Sequence, residues 1–171
     1  IGGGDWSNKR LFPDLMKLIY EKKKLKIRNL ISVRPWQHVL EPLTGYLLLA
    51  NRLFNDWDKK NSIFRSGWNF GPSINNHVNV KTFIKILEKN LDKKLTFDYE
   101  KKIFHEEESI FLNSNKSKKI LKWKNFLTLE NSIKISLEWY ENFYQIKKEN
   151  TNTTEQQIKQ YLKFLDTDKN I

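Results

Sequence analysis

Residues 34–50 read RPWQHVLEPLTGYLLLA, and the run continues through Asn51, Arg52, Leu53 and Phe54 to Asn55. Leu40, Leu43, Leu47, Leu48 and Leu53 recur at helical spacing, which predicts a helix over 39–55. Just before it, Arg34 stands between a turn and the start of that helix. In such a place an arginine forms paired charge-assisted hydrogen bonds to a phosphate, with the helix dipole assisting, an arrangement suited to a pyrophosphate. The same residue could equally pair with Glu41 or stack on Trp36.

Working outward toward the first residue, Arg28 and Asn29 sit in the preceding bend and carry the same two readings, ligand contact or local structure. Leu25 to Ile27 is a short strand candidate. Leu11, Leu15, Met16, Ile19 and Tyr20 keep helical spacing, and Pro13 and Asp14 fall where a first helical turn accepts them, so a helix is expected over 12–23. The opening Ile-Gly-Gly-Gly-Asp-Trp has no initiator methionine and no signal-like segment. It reads as a tight turn leaving a strand, hence as part of something longer.

Toward the other end, Ser66 to Gly71 alternates and runs into Pro72, which predicts a strand delivering a loop. Asn69, between Trp68 and Phe70, could orient a ligand by its amide or could merely satisfy a turn. A helix is expected over 80–91, with Val80, Phe83, Ile84 and Leu87 inward. Short strands follow at 94–99 and 109–112, then helices at 116–121 and 128–147. A last helix over 153–165 would begin with Thr153 and Gln156 as a capping box. The pattern is α/β, helix-rich, one unit over 1–171, with strands too few to close a doubly wound sheet. It should complete a sheet that starts upstream.

Composition narrows the chemistry. The chain has 171 residues and no cysteine, which removes disulfides, thiolate metal sites and cysteine nucleophiles. The longest apolar stretch falls far short of a bilayer span, so no membrane is expected. Lys and Arg number 31 against 20 Asp and Glu, a formal charge of +11. Yet 26 Lys, 18 Asn and 16 Ile point to an A/T-biased genome, so the charge argues weakly for a nucleic-acid partner and none is expected. Only five arginines remain, three of them within residues 10–34, and an arginine kept in so lysine-rich a chain marks a need for a planar fork. His38, His77 and His105 have no zinc-motif spacing, so no metal is expected. His105 with Glu106, Glu107 and Glu108 could do acid/base work or form a solvated loop. There is no GxGxxG, no phosphate-binding P-loop and no nucleophile elbow.

In order, IGGGDW (1–6), RL with PD (10–14), IRN (27–29), RPWQHVLEPLTGYLLLA (34–50), WNFGP (68–72), HE (105–106) and EWY (138–140) resemble the CDP-glucose 4,6-dehydratase family. That family lies within the extended short-chain dehydrogenases/reductases; GDP-mannose 4,6-dehydratase is a weaker likeness. The resemblance implies the C-terminal portion of such an enzyme, the part that holds the sugar nucleotide, CDP-glucose or a relative. It implies NAD bound by a Rossmann half that is not in this sequence, and a complete enzyme that oxidises the sugar at C4, loses water across C5 and C6 and returns hydride to C6. This chain alone would bind no NAD, have no catalytic residue and be inactive; the complete enzyme would be a cytoplasmic homodimer. Carried over by position, Arg10 and Leu11 would approach the nucleotide, Arg34 the pyrophosphate and Asn69 the nucleotide, with His105 and Glu106 near it. Lys9 departs from the acid usual there, Asn113 from the usual aspartate and Lys122 from the usual glycine.

Overall fold

The computed structural model describes residues 1–99, 107–146 and 151–167. Six α-helices dominate these residues: α1 Leu11–Glu21, α2 Leu40–Asn55, α3 Val80–Leu91, α4 Asn115–Ile120, α5 Leu129–Ile146 and α6 Thr151–Thr167. The strands are β1 Lys26–Ile27, β2 Val33–Pro35, β3 His77–Asn79 and β4 Asp98–Tyr99. β1 pairs parallel with β4, and β2 antiparallel with β3, where Arg34 stands opposite Val78. No sheet among the described residues exceeds two strands. This is the helix-rich α/β architecture with an incomplete sheet that the sequence predicts.

Local chemistry explains the best-defined elements. α3 starts where the Asn79 side chain accepts a hydrogen bond from the Thr82 amide at 2.8 Å. It stops where Asp92 turns left-handed at φ 48°. α1 tolerates Pro13 because the first-turn amides have no partner within the helix to lose. The core is built from three faces: Phe12, Leu15 and Met16 of α1, Phe83, Ile84 and Leu87 of α3, and Ile133, Leu137 and Tyr140 of α5. Each such side chain contributes roughly 1.5–3 kcal/mol by leaving water. α6 closes against α5 through a Trp139 Nε1 bond to Thr154 Oγ1 at 2.8 Å and a Gln157 Nε2 bond to the Ile135 carbonyl at 2.8 Å.

Four expectations need correction. Residues 66–71 are not a strand. The alternation is real, with Phe70 buried and Asn69 exposed, but the backbone is satisfied by side chains instead of a neighbouring strand. Ser114 Oγ accepts from the Gly71 amide at 2.6 Å, Ser117 Oγ donates to the Asn69 carbonyl, and Asn125 Nδ2 donates to the Gly71 carbonyl at 3.4 Å. Residues 109–112 shrink to one bridge, Ser109 beside Val33. The 94–99 strand is only its last two described residues, Asp98 and Tyr99. The final helix starts at Thr151, and Thr153 serves instead as acceptor for Asn142 Nδ2 at 3.3 Å. The β2–β3 pair was not foreseen, because three-residue strands carry no periodicity to read.

Candidate functional site

The glycine turn fixes one wall of the site. A Cβ on Gly3 would lie 2.0 Å from Trp139 Cγ, so only glycine lets residues 1–6 lie flat on α5. Tyr140 then donates its hydroxyl to the Asp5 carbonyl at 2.5 Å. Burial and the nearby Asp5 charge push that phenol up to about 12. Ile1 pairs on both sides with the opposite wall: its nitrogen donates to the Gln37 carbonyl at 2.6 Å, and the Val39 amide donates to the Ile1 carbonyl at 2.8 Å. Between these walls, α1's N-terminal end and β1 enclose an open cleft of about 780 Å³, a size suited to a small organic ligand.

Arg10, Leu11 and Arg34 all line this cleft, as do Arg28 and Asn29. Arg34 is on β2, not in the turn itself. Its Nη1 donates to the Val33 and Glu107 carbonyls, both at 2.9 Å, which fixes the guanidinium plane at the wall. Among the described residues, Glu41 and Trp36 are engaged with other partners. The Glu41 carboxylate accepts instead from the Phe126 amide at 2.9 Å, the Leu127 amide at 2.7 Å and Asn125 Nδ2 at 3.1 Å. Trp36 lies against Phe83, centroids 4.2 Å apart, and donates Nε1 to the Val78 carbonyl at 2.9 Å. Asn29 does take its structural reading: its Oδ1 accepts from the Ile31 and Ser32 amides at 3.0 and 3.1 Å, closing the bend.

Asn69 is elsewhere. It is exposed, does not line the cleft, and donates Nδ2 to the Asn113 carbonyl at 3.4 Å. His105 and Glu106 lie outside the described residues.

The motif of residues 34–41 therefore divides by direction. His38 and Glu41 turn inward as architecture. His38 is buried, its Nδ1 accepts from the Leu40 amide at 3.3 Å, and burial pushes the imidazole down to about 4. Burial raises the Glu41 carboxyl above the usual range against three opposing hydrogen bonds from 125–127. Arg34, Pro35, Trp36 and Gln37 line the cleft.

The cleft's electrostatics favour an anion. Lys9, Arg10, Lys26, Arg28 and Arg34 outnumber Asp5 and Asp14 on its lining. Asp5 accepts from the Ser7 amide at 3.0 Å and from Arg10 Nη1 at 3.4 Å. Burial acts to raise its carboxyl, and those hydrogen bonds with the Arg10 charge outweigh it, so it titrates below the usual range. Asp14 lies 3.8 Å from Lys17 Nζ. Both acids are thus partly neutralised by neighbours, and a multiply charged anion meets a positive lining. Sequence reasoning missed Gln37, Ser32 and Lys26 as lining residues.

Among the described residues no three His, Cys, Asp or Glu side chains gather as a metal site, and no helix is long and apolar enough to cross a membrane. Gly2 to Gly4 pack under Val39 and Trp139 rather than opening a helix N-terminus onto a phosphate.

No protein-family model matches the chain. Over 72 residues, 42% of the chain and 19% of the other protein, it is 51% identical to CDP-glucose 4,6-dehydratase of Salmonella typhimurium. Its fold is similar to that of a UDP-glucuronic acid 4-epimerase variant from Bacillus cereus solved with NAD and a fluorinated UDP-sugar. There the TM-score is 0.67 at 18% identity, over 84% of this chain and 43% of that one. It is also similar to dTDP-glucose 4,6-dehydratase from Bacillus anthracis solved with NAD, with TM-score 0.59 and 21% identity, over 82% of this chain and 41% of that one. The chain thus spans about two fifths of each solved relative, and the sequence match about a fifth of the Salmonella protein. Over those 72 residues the chain resembles CDP-glucose 4,6-dehydratase in sequence, and its fold is similar to part of the UDP-glucuronic acid 4-epimerase and dTDP-glucose 4,6-dehydratase structures.

Proposed function

We propose that this chain is the C-terminal, sugar-nucleotide-binding portion of a CDP-glucose 4,6-dehydratase, which converts CDP-glucose to CDP-4-keto-6-deoxyglucose and water for deoxysugar and O-antigen synthesis. The observation that carries this reading is Arg34, anchored through Nη1 at the wall of an open, cation-lined cleft and lying within the most distinctive stretch of the sequence. Arg34 contacts the pyrophosphate, and Arg10 and Leu11 border the nucleotide. Asn69, His105 and Glu106 keep their roles by resemblance alone. The whole enzyme is a cytoplasmic homodimer that uses NAD held outside these residues; this chain binds and orients, and without that other half it does not turn over.

The test is calorimetric titration of the chain with CDP-glucose. Arg34→Ala should weaken binding by about 1.5–3 kcal/mol, the value of a charge-assisted contact. Unchanged affinity in the variant would remove the reading. A second reading, a different NDP-sugar 4,6-dehydratase or epimerase, is favoured by the fold likeness to the UDP-glucuronic acid 4-epimerase. UDP-glucuronic acid and GDP-mannose in the same titration separate the two, since the proposal requires CDP-glucose to bind tightest. Binding of none of them would mark a non-catalytic remnant.

A further inference from the structure

The stretch WNFGP (68–72) is distinctive in sequence, yet Asn69 does not line the cleft. Its side chain touches the segment 107–113, every residue of which is exposed. Such a segment takes its course from its backbone bonds and from what lies beside it, not from burying side chains of its own. At the far end Asn69 Nδ2 donates to the Asn113 carbonyl at 3.4 Å, and a Cβ on Gly71 would lie 2.5 Å from the Leu112 Cβ, so the 69–71 turn lies close against the segment. In the middle, Phe111 stacks on His77 of β3, with centroids 5.0 Å apart and planes 15° from parallel.

At the near end the segment meets β2. The Val33 amide donates to the Glu108 carbonyl at 2.8 Å and the Ile110 amide to the Val33 carbonyl at 3.1 Å, a parallel bridge of Ser109 with Val33. This bridge sets the Glu107 carbonyl 2.9 Å from Arg34 Nη1, which also donates to the Val33 carbonyl at 2.9 Å. Val33 is Arg34's own neighbour and moves with it. Glu107 is 73 residues away in sequence and ties the guanidinium to another part of the fold. A planar guanidinium pairs with a phosphate only when its plane is set, so whatever places the Glu107 carbonyl bears on anion binding.

We infer that residues 107–113 are a strap that orients the Arg34 guanidinium toward a bound anion, and that Asn69 and Gly71 are positioning residues that hold the strap's far end. The inference rests on the sugar-nucleotide reading above in taking a diphosphate as that anion. It gives WNFGP a bearing on the cleft from outside it. By reciprocity, an anion held by Arg34 in turn holds the strap.

The experiment titrates the wild-type chain, Asn69→Ala and Ile110→Pro with inorganic pyrophosphate and with CDP-glucose, and follows hydrogen exchange at the Ile110 amide of the wild type. Asn69→Ala should weaken both ligands by the same factor, about threefold; Ile110→Pro, which removes the amide that donates to Val33, should weaken both by about tenfold. Exchange at Ile110 should slow when pyrophosphate saturates the cleft, a response that a merely structural bond would not give, and Arg34→Ala should abolish the slowing. Because this readout needs no substitution in the strap, it holds even where Ile110→Pro fails to fold. Pyrophosphate affinity equal to wild type in both variants overturns the inference, and so does an Ile110 exchange rate that pyrophosphate leaves unchanged. A loss in Asn69→Ala for CDP-glucose alone also overturns it, because Asn69 would then touch the nucleoside directly. A wild-type chain that binds pyrophosphate and not CDP-glucose removes the sugar-nucleotide reading while the pyrophosphate results still decide on the strap; a chain that binds neither ends both.

Discussion

α2 and α3 look alike as sequence and end differently. Both carry apolar residues at helical spacing. α3 buries Val80, Phe83, Ile84 and Leu87 against α1 and α5, with Phe83 fully enclosed. α2 leaves Leu43, Tyr46, Leu47 and Phe54 in solvent, Leu47 at 70% and Phe54 at 77% exposure, and its two buried residues are Glu41 and Gly45. Gly45 is held because a Cβ there would sit 2.2 Å from the Phe70 ring. Periodicity therefore reports that a helix has an apolar face. What covers that face is a property of the rest of the fold, and α2 is anchored by the Glu41 carboxylate, the close approach at Gly45, and Leu48 and Leu49 packed on the small cluster of Phe70, Leu121 and Trp123.

The contrast is sharpest in stability. Phe83→Ala should cost about 3–5 kcal/mol through lost transfer energy and a cavity, read from urea unfolding by circular dichroism. A loss under about 1 kcal/mol would mean that the α1–α3–α5 core is not the seat of stability.

Glu41→Ala should cost about 2–4 kcal/mol, because the Phe126 and Leu127 amides would be left buried without an acceptor. Glu41→Gln keeps an oxygen for those amides and should cost less. Equal losses in the two variants would show that volume, not hydrogen bonding, is what Glu41 supplies.

Acid should act through His38. Its pKa is about 4 folded against 6.5 unfolded, so between these values the unfolded chain holds a proton that the folded chain refuses. Stability is full above about pH 6.5 and falls as pH drops toward 4, by on the order of 3 kcal/mol from this group. His38→Gln should flatten that part of the stability–pH curve. An unchanged slope would remove His38 as its cause.

The smallest effect belongs to the exposed face. Leu47→Lys should change stability by less than about 0.5 kcal/mol. A loss approaching that of Phe83→Ala would show that α2's stripe is covered in solution.

The sequence carried most of the helical frame, for reasons visible in single residues. The 80–91 helix was legible to both ends because its apolar spacing begins and stops sharply, at Val80 and Leu91. The strand expected at 66–71 failed because alternation of Trp68, Asn69 and Phe70 states which side chains turn inward, not whether another strand lies alongside. The clustering of Arg10, Leu11 and Arg34 was legible through their family-like stretches. Asn69 was placed by the same resemblance, and among the described residues it does not share their cleft. Ser32 carries no sequence signal of its place on the cleft wall, since lining is set by the fold around it.

The central claim is that this cleft holds a sugar nucleotide. Backbone amide chemical shifts of the 15N-labelled chain, followed as CDP-glucose is added, test it most directly. The account predicts saturable shifts at Leu11, Arg28, Arg34 and Gln37, with Phe54 and Trp57 on the exposed α2 side unmoved. Shifts confined to the α2 face, or no saturable shift along the cleft, would contradict it.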